Sequence, residues 1–546
     1  MKMVSVSEMR AIEEEADANA LPYSVMMENA GYNLYREVLQ LSYAKDDEED
    51  IQVLGLVGPG NNGGDTLVAL AHLAEKGWKA RAYLVKRKSG GDQLVKRLED
   101  ADGEIYLAEK DTDFVQLATF IETADVVLDG VLGTGFKQPM KADIAKVLEA
   151  AKSSIDAIEW PPLIVAVDCP SGVDCDNGTI AEESIPADAT ITMAAVKKGL
   201  LKIPAYEIVG ELRVVEIGSL SELKSWQSIG NEVIDGPLAA SLLPKRPSNA
   251  HKGTFGTALI VAGSINYTGA ALLSGKAAYR IGAGLVTIAV AAPLHMTLAG
   301  HFPEATWILL PHEMGVIAAE ASDVLAANLD HVTSMLIGPG LGLEDTTKEF
   351  IANLFYKTIT KPAHGRMGFI QSVSGKESKT NAANVIPSLV VDADGLKLLA
   401  KLNDWPKLLP DFTILTPHPG EMSILTGSPI NEIQQDRLEF ARKYAREWGH
   451  IVVLKGAFTV IASPDGRTTT IPVATPALAR AGTGDVLAGI IVGLRAQGME
   501  AYDAARLGAW VHAQAGLIAA QVQGSTNAVI AGDVIEAIPD VLEGMT

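Results

Sequence analysis

The sequence predicts an α/β protein built as two successive layer folds. Short apolar runs of strand length recur along the chain and run directly into loops rich in Gly, Asp, Asn or Ser. Helical patterns fill the intervals, as expected of parallel strands joined by crossovers. The length, 546 residues, exceeds one ordinary domain.

In chain order, Ser7 to about Leu41 reads as two acidic amphipathic helices, with Ser7 as N-cap and Leu21-Pro22 as the break. Ile51 to Val57 reads as a buried strand. It enters Gly58-Pro59-Gly60-Asn61-Asn62-Gly63-Gly64-Asp65-Thr66, followed by a helix from Leu67 to Lys76 and a strand from Ala80 to Val85. This is a βαβ unit with a glycine loop at the carboxyl end of its strand, where open α/β sheets take ligands. Gly58, Gly60 and Gly63 satisfy G-x-G-x-x-G, a weak signal alone. Lys86, Arg87 and Lys88 stand where a redox dinucleotide site wants an acid. Asn61, Asn62 and Asp65 also load the loop with polar groups that pyrophosphate binding does not need.

Strand-like Ala124 to Leu128 ends in Asp129-Gly130, then Gly133-Thr134-Gly135-Phe136-Lys137-Gln138-Pro139. Strand-like Leu163 to Val167 ends in Asp168-Cys169-Pro170-Ser171-Gly172. In a doubly wound sheet these ends share one edge, so the three loops can converge. Asn62, Asp129 and Ser171 could supply hard oxygens to a cation. Asp168 is then left as a candidate acid/base.

The α/β rhythm fades between Gly218 and Asp235, which places the boundary there: 1–220 and 230–546. In the second half Ala258 to Ala262, Leu285 to Val290, Met335 to Ile337, Leu389 to Val391, Phe412 to Leu415 and Ile451 to Leu454 read as strands. Thr268-Gly269-Ala270-Ala271 opens a helix. Strand ends lead into Gly338-Pro339-Gly340-Leu341-Gly342, Thr416-Pro417-His418-Pro419-Gly420-Glu421 and Lys455-Gly456-Ala457-Phe458-Thr459. The polar stretch Lys361 to Asn384 (361–384) breaks the rhythm as a surface insertion with no assigned site role.

The most informative stretch is Ala481 to Gly489. Gly482, Thr483 and Gly484 open straight into a helix, whose free N–H groups and positive dipole end suit a phosphate. A carboxylate, Asp485, follows at once. It should repel that phosphate, unless it serves as base for a hydroxyl attacking it.

The net charge of −22 argues against binding nucleic acid or an anionic membrane non-specifically, so anionic ligands need local donors. No apolar run spans a bilayer, and the start has no apolar signal region. Two cysteines, Cys169 and Cys175, make neither a disulfide framework nor a metal motif, which leaves a reduced, cytoplasmic protein.

These loops resemble, over nearly the whole chain, the bifunctional NAD(P)H-hydrate repair enzyme family. Glu28-Asn29-Ala30-Gly31, Asn61 to Asp65, Gly133 to Pro139 and Asp168 to Gly172 resemble the NAD(P)H-hydrate epimerase, a Rossmann-like αβα sandwich. His251-Lys252-Gly253, Gly338 to Gly342, Thr416 to Glu421 and Ala481 to Asp485 resemble the ADP-dependent NAD(P)H-hydrate dehydratase, a ribokinase-like α/β domain. The resemblance implies substrates, NADHX and NADPHX: NADH or NADPH hydrated at C6 of the nicotinamide ring. The first domain would epimerise the R and S hydrates, and the second would dehydrate the S hydrate with ADP, giving NAD(P)H, AMP and phosphate. It further implies K+ in the epimerase site, Mg2+ for the dehydratase and a homo-oligomer.

By the same resemblance, Asn61, Asn62, Gly63, Gly64 and Asp65, with Gly133, Thr134, Gly135, Phe136, Lys137, Gln138 and Pro139, would hold the hydrate. Asn62, Asp129 and Ser171 would ligate potassium, and Asp168 would touch the substrate as acid/base. In the second domain Ala270 (or Ala271), Gly340 or Gly342, His418 and Asp485 would contact the hydrate. Lys455, Gly456, Ala457, Phe458 and Thr459, with Gly482, Thr483 and Gly484, would contact the nucleotide. Thr66 replaces a glycine common in the family, and Gly395 an alanine. Competing readings are a ribokinase-like small-molecule kinase fused to a nucleotide-binding domain, an NADP-dependent oxidoreductase, and a non-catalytic nucleotide binder.

Overall fold

The computed structural model describes residues 1–42, 51–358 and 386–545. They form two compact units, Met1–Val233 and Ile234–Thr546. The expected insertion 361–384 lies outside the described residues.

The first unit begins with β1 (Met3–Val4), α1 (Val6–Ala18) and α2 (Tyr23–Ser42). The cap of α1 is Ser5, not Ser7. Ser5 accepts from the Glu8 backbone N–H while the Glu8 carboxylate accepts from the Ser5 N–H at 2.6 Å. The S-x-x-E spacing fits Ser5 and not Ser7, which has Arg10 three residues on. Strands β2 (Gln52–Val57), β3 (Lys79–Leu84), β4 (Glu104–Leu107), β5 (Val126–Gly130), β6 (Leu163–Val167), β7 (Ala189–Met193) and β9 (Glu211–Val215) make one parallel sheet, ordered β4-β3-β2-β5-β6-β7-β9. The short β8 (Val196–Lys197) pairs with β1, and β10 (Asn231–Val233) bridges to Lys2. The strand order reverses between β2 and β5, the switch point at which a doubly wound sheet opens a crevice.

At that point the expected loop Asn61 to Thr66 is helix. α3 runs Asn61–Glu75, capped by Gly60, so helix begins six residues before Leu67. Two glycines and two asparagines hid this from propensity, but packing overrides propensity. A Cβ on Gly63 would stand 2.1 Å from the Gly58 carbonyl oxygen, so only glycine lets α3 start this close to the end of β2.

The second unit holds, among its described residues, β11 (Thr257–Val261), β12 (Leu285–Ala291), β13 (Thr306–Leu310), β16 (Ser334–Ile337), β17 (Ser388–Val391), β18 (Ile414–Leu415), β19 (Ile451–Leu454), β20 (Val460–Ala462) and β21 (Thr468–Thr470). They are ordered β21-β20-β19-β18-β17-β16-β11-β12-β13; β20 and β21 are antiparallel and the rest parallel. A separate hairpin joins β14 (His312–Glu313) and β15 (Val316–Ile317). β18 is shorter than the expected Phe412 to Leu415, because Phe412 is exposed at φ +57°. Both units therefore have the α/β layer architecture that the strand-loop rhythm predicts. The central, mainly apolar parallel strands are buried on both faces, as expected where helices cover a parallel sheet, while the edge strands β4, β9 and β13 are partly exposed.

One helix contact supports the second site. Helix Thr483–Ala496 crosses helix Gly269–Arg280 through glycines. A Cβ on Gly489 would lie 2.3 Å from the Ser274 carbonyl oxygen, and one on Gly493 2.8 Å from that of Ala278. Substituting Gly489→Val should therefore destabilise the unit by about 1–3 kcal/mol or more through overpacking. A thermal or urea melt checks this, and an unchanged midpoint would remove the close approach from the account.

Candidate functional sites

In the first unit a cleft of about 530 Å³ opens beside the switch point. Asn61, Asn62 and Asp65 reach it from α3. Gly133, Thr134, Gly135, Phe136, Lys137 and Pro139 reach it from the loop after β5, and Asp168 from the end of β6. Gly63, Gly64 and Gln138 are not part of the cleft wall. Gly63 packs on Gly58, a Cβ on Gly64 would meet the Met27 thioether at 2.7 Å, and the Gln138 amide donates to the Ile180 carbonyl at 2.7 Å. The Lys137 ammonium is turned to Asp174, 2.9 Å away.

The residues read as cation ligands come together behind the wall. The Ser171 hydroxyl donates to Asp129 Oδ1 at 2.5 Å and its backbone N–H to Oδ2 at 2.7 Å. The Leu132 N–H donates to Ser171 Oγ at 2.8 Å, and Asn62 Nδ2 to the Leu132 carbonyl at 3.0 Å. Burial pushes the Asp129 carboxyl up, against the hydrogen bonds from Ser171 and Val131. Asn62 Oδ1 is buried and takes no hydrogen bond among the described residues. Thr66, where the family commonly has glycine, donates back to the Asn62 carbonyl at 2.8 Å and fills the space beside Gly130.

Asp168 sits at φ +64°. Its Oδ1 accepts from the Met193 N–H at 3.0 Å, from Thr192 Oγ1 at 3.1 Å and from Lys197 Nζ. Lys197, only 1% exposed, spends its remaining donors on Thr192 Oγ1 and the Met193 carbonyl. Two more carboxyls share the cleft. Burial first, then Asp168 and Glu13, push Asp65 well above the usual carboxyl range; burial and then Asp168 raise Glu13. Sequence reasoning missed Lys197 and Glu13. The only trace of Lys197 is a cation directly after the apolar run Met193 to Val196, and Glu13 looks like any residue on an acidic helix face.

In the second unit Gly482, at φ +89°, lets the chain turn into helix Thr483–Ala496, with Asp485 in its first turn. Burial, then the neighbouring Asp392, raise the Asp485 carboxyl to about 7. Lys455 Nζ pairs with Asp392 Oδ1 at 2.6 Å and lies 3.8 Å from Glu421. Burial opposes its charge, but Asp392 and Glu421 hold its pKa above the ordinary lysine value. A Cβ on Gly484 would stand 3.5 Å from that ammonium, which places the cation at the helix mouth. Thus Lys455, Gly484 and Asp485 meet, joined by Asp392 and Glu421, which the sequence reading did not single out.

His418 caps helix Pro419–Thr426. Its Nδ1 accepts from the Gly420 N–H at 3.0 Å and its Nε2 lies 3.3 Å from Glu421 Oε1. Ala270 and Gly340 are neighbours, since a Cβ on Gly340 would meet that of Ala270 at 2.9 Å; Ala271 is fully buried. Gly342 instead donates to Asp394 at 3.1 Å. In the strand-end loop, Gly456 (φ +138°) and Phe458 (φ +53°) shape the turn. The Phe458 ring is buried, Thr459 Oγ1 donates to the Gly456 carbonyl, and Arg437 donates to the Leu454 and Lys455 carbonyls. Gly395 touches the Gly338 backbone, where an added Cβ would come within 2.9 Å of the Gly338 Cα.

Among the described residues no three His, Cys, Asp or Glu side chains form a metal cluster, and no helix is long and apolar enough to cross a membrane. Family models match the chain twice: "YjeF-related protein N-terminus" over residues 23–199, and "NAD(P)H-hydrate dehydratase" over 258–362 and 366–540. Bifunctional NAD(P)H-hydrate repair enzymes of Moorella thermoacetica and Thermofilum pendens are 35% and 33% identical to it, over 100% and 96% of this chain and 97% and 93% of their own. A solved ADP/ATP-dependent NAD(P)H-hydrate dehydratase from Bacillus subtilis is 28% identical, covering 58% of this chain and 99% of its own, with a TM-score of 0.46. Full-length similarity to two-domain relatives, with both loop sets present, establishes that the chain belongs to the bifunctional NAD(P)H-hydrate repair enzyme family.

Proposed function

We propose that the chain repairs hydrated NADH and NADPH, with the first unit interconverting the R and S hydrates and the second dehydrating the S hydrate with ADP. The observation that carries the second half is Asp485: a carboxyl raised to about 7 at the N-terminal mouth of helix Thr483–Ala496, with Lys455 beside it. Hydroxide is a poor leaving group. Phosphorylating the C6 hydroxyl makes phosphate the leaving group, which the ring nitrogen lone pair then expels. Asp485 accepts the hydroxyl proton, and the N–H groups around Gly482 to Gly484 and the Lys455 ammonium stabilise the transferring phosphoryl group. Lys455 to Thr459 bind the nucleotide, with Phe458 shaping the loop from inside. Ala270, Gly340 and His418 border the hydrate. Mg2+, if bound with the nucleotide, would be held by its phosphates and one or two carboxylates and would neutralise phosphate charge.

In the first unit the chemistry of the donor set fits a potassium ion. Asn62 offers a buried oxygen with no hydrogen bond, and Asp129 a buried carboxylate whose donors are all neutral. Asn62, Asp129 and Ser171 would hold the ion, which supplies positive charge beneath the cleft. Asp168 serves as acid/base. A cytoplasmic location, in keeping with two free and buried cysteines, and a homo-oligomer belong to the same reading.

Hydrated NADH supplied with ADP should regenerate NADH at its own absorption band. A stable phosphorylated product instead would favour a small-molecule kinase. Asp485→Asn should lower ADP-dependent repair about 10²–10⁴-fold while epimerisation continues. Because the base must be ionised, kcat/KM of repair should rise with pH up to about 7 and level off above it. Asp168→Asn should block epimerisation and spare repair of the S hydrate; survival of both activities would remove Asp168 from its role. Added K+ should raise the melting temperature of the first unit, and Asp129→Asn should abolish that shift. A shift that persists in the variant would place the ion elsewhere.

A further inference from the structure

We propose that epimerisation runs on two carboxyl groups of opposite duty: Asp168, held by Lys197, as base, and Asp65 across the same cleft as acid. This rests on the epimerase reading and extends it to a second catalytic group and a positioning residue. Both carboxyls line one cleft, yet their surroundings differ. Three donors converge on Asp168 Oδ1, one of them a buried ammonium, while Oδ2 takes no hydrogen bond among the described residues. That arrangement pairs the carboxyl with a cation and fixes its direction. Among the described residues Lys197 donates to Asp168, Thr192 and Met193. It therefore acts through Asp168.

Asp65 has the opposite environment. It is buried on α3, and its carboxyl takes no hydrogen bond among the described residues. The charged groups acting on it are Asp168 and Glu13, which disfavour its ionisation, and Lys197 and Arg87, which favour it. Both cations are already engaged, Lys197 with Asp168 and Arg87 with Asp92 and the Gly58 and Gly60 carbonyls. Burial and the neighbouring carboxyls thus hold Asp65 well above the usual carboxyl range. A carboxyl paired with a buried ammonium and another without a hydrogen bond among the described residues, lining one cleft, suit the two roles of an acid/base pair.

The step balances for ring opening of the C6 hydrate. Asp168 takes the hydroxyl proton, a C6=O double bond forms, the C6–N1 bond breaks with its electron pair going to N1, and N1 receives the proton of Asp65. After rotation about C5–C6, N1 attacks the other face of the carbonyl. Asp168 then returns its proton to oxygen and Asp65 regains one from N1. The pair resets, and no co-reactant is needed.

The test uses the full chain with the R hydrate, following epimer ratio by chromatography. Absence of epimerisation in the wild-type chain would overturn the epimerase reading itself. Given wild-type activity, Asp65→Asn should lower kcat about 10²–10⁴-fold, with ADP-dependent repair of the S hydrate unchanged. Activity within threefold of wild type would overturn the proposal. Lys197→Met should lower kcat at least tenfold with KM little changed and move the acidic limb of the pH profile upward. Lys197→Arg should restore part of the loss. An unmoved limb would overturn the positioning role. If Asp65→Asn fails to fold, the wild-type profile decides: a fall as pH rises through the elevated pKa of Asp65 supports the acid, and a flat profile from about pH 6 to 10 overturns it.

Discussion

Carboxylates are buried at the carboxyl edge of a parallel sheet, and the rest of each site answers to that constraint. Parallel strands end together, so Asp129 and Asp168 in one unit, and Asp392 in the other, converge where loops close over them. A carboxylate out of water needs donors or a cation. Ser171 answers for Asp129, Lys197 for Asp168, and Lys455 with Thr416 for Asp392. Lys455 shows how such compensation reaches beyond its partner: the ammonium that holds Asp392 also lies at the N-terminal mouth of helix Thr483–Ala496.

The two units solve different electrostatic problems with one architecture. The second must bind anions in a chain of net charge −22, so it depends on local donors: helix N–H groups freed by the turn at Gly482, and one lysine. The first lines its cleft with as many cations as carboxyls, Arg10, Lys137 and Lys141 beside Glu13, Asp65 and Asp168, but the Lys137 ammonium is turned to Asp174. Burial and mutual repulsion there raise Asp65 and Glu13 above the usual carboxyl range, and the buried Asn62–Asp129–Ser171 set presents oxygens rather than donors. Its helix α3 also starts at the cleft, but polar and acidic side chains occupy the position that phosphate-binding loops leave open.

Departures from the family pattern find ordinary packing accounts. Thr66 hydrogen-bonds one turn back within α3 and fills space beside Gly130, leaving Asn62 in place. Gly395 lets the loop after β17 press on Gly338, a contact that an alanine could make only after a small shift.

Strand-loop alternation, the glycine punctuation and the Asn62, Asp129, Ser171 and Asp485 positions were legible from sequence. They depend on local pattern and on one topological rule: parallel strands end on the same edge. The start of α3 was not legible, because close packing of Gly63 on Gly58 overrides the low helix propensity of Asn and Gly. Nor was Lys197, which meets Asp168 from 29 residues away, or the pairing of Lys455 with Asp392 across 63. The sequence by itself determined which chemical groups stand at the strand ends. Only the tertiary structure decided which are buried beside which, and burial together with the nearest opposite charge sets whether a carboxyl is a base, an acid or an anchor.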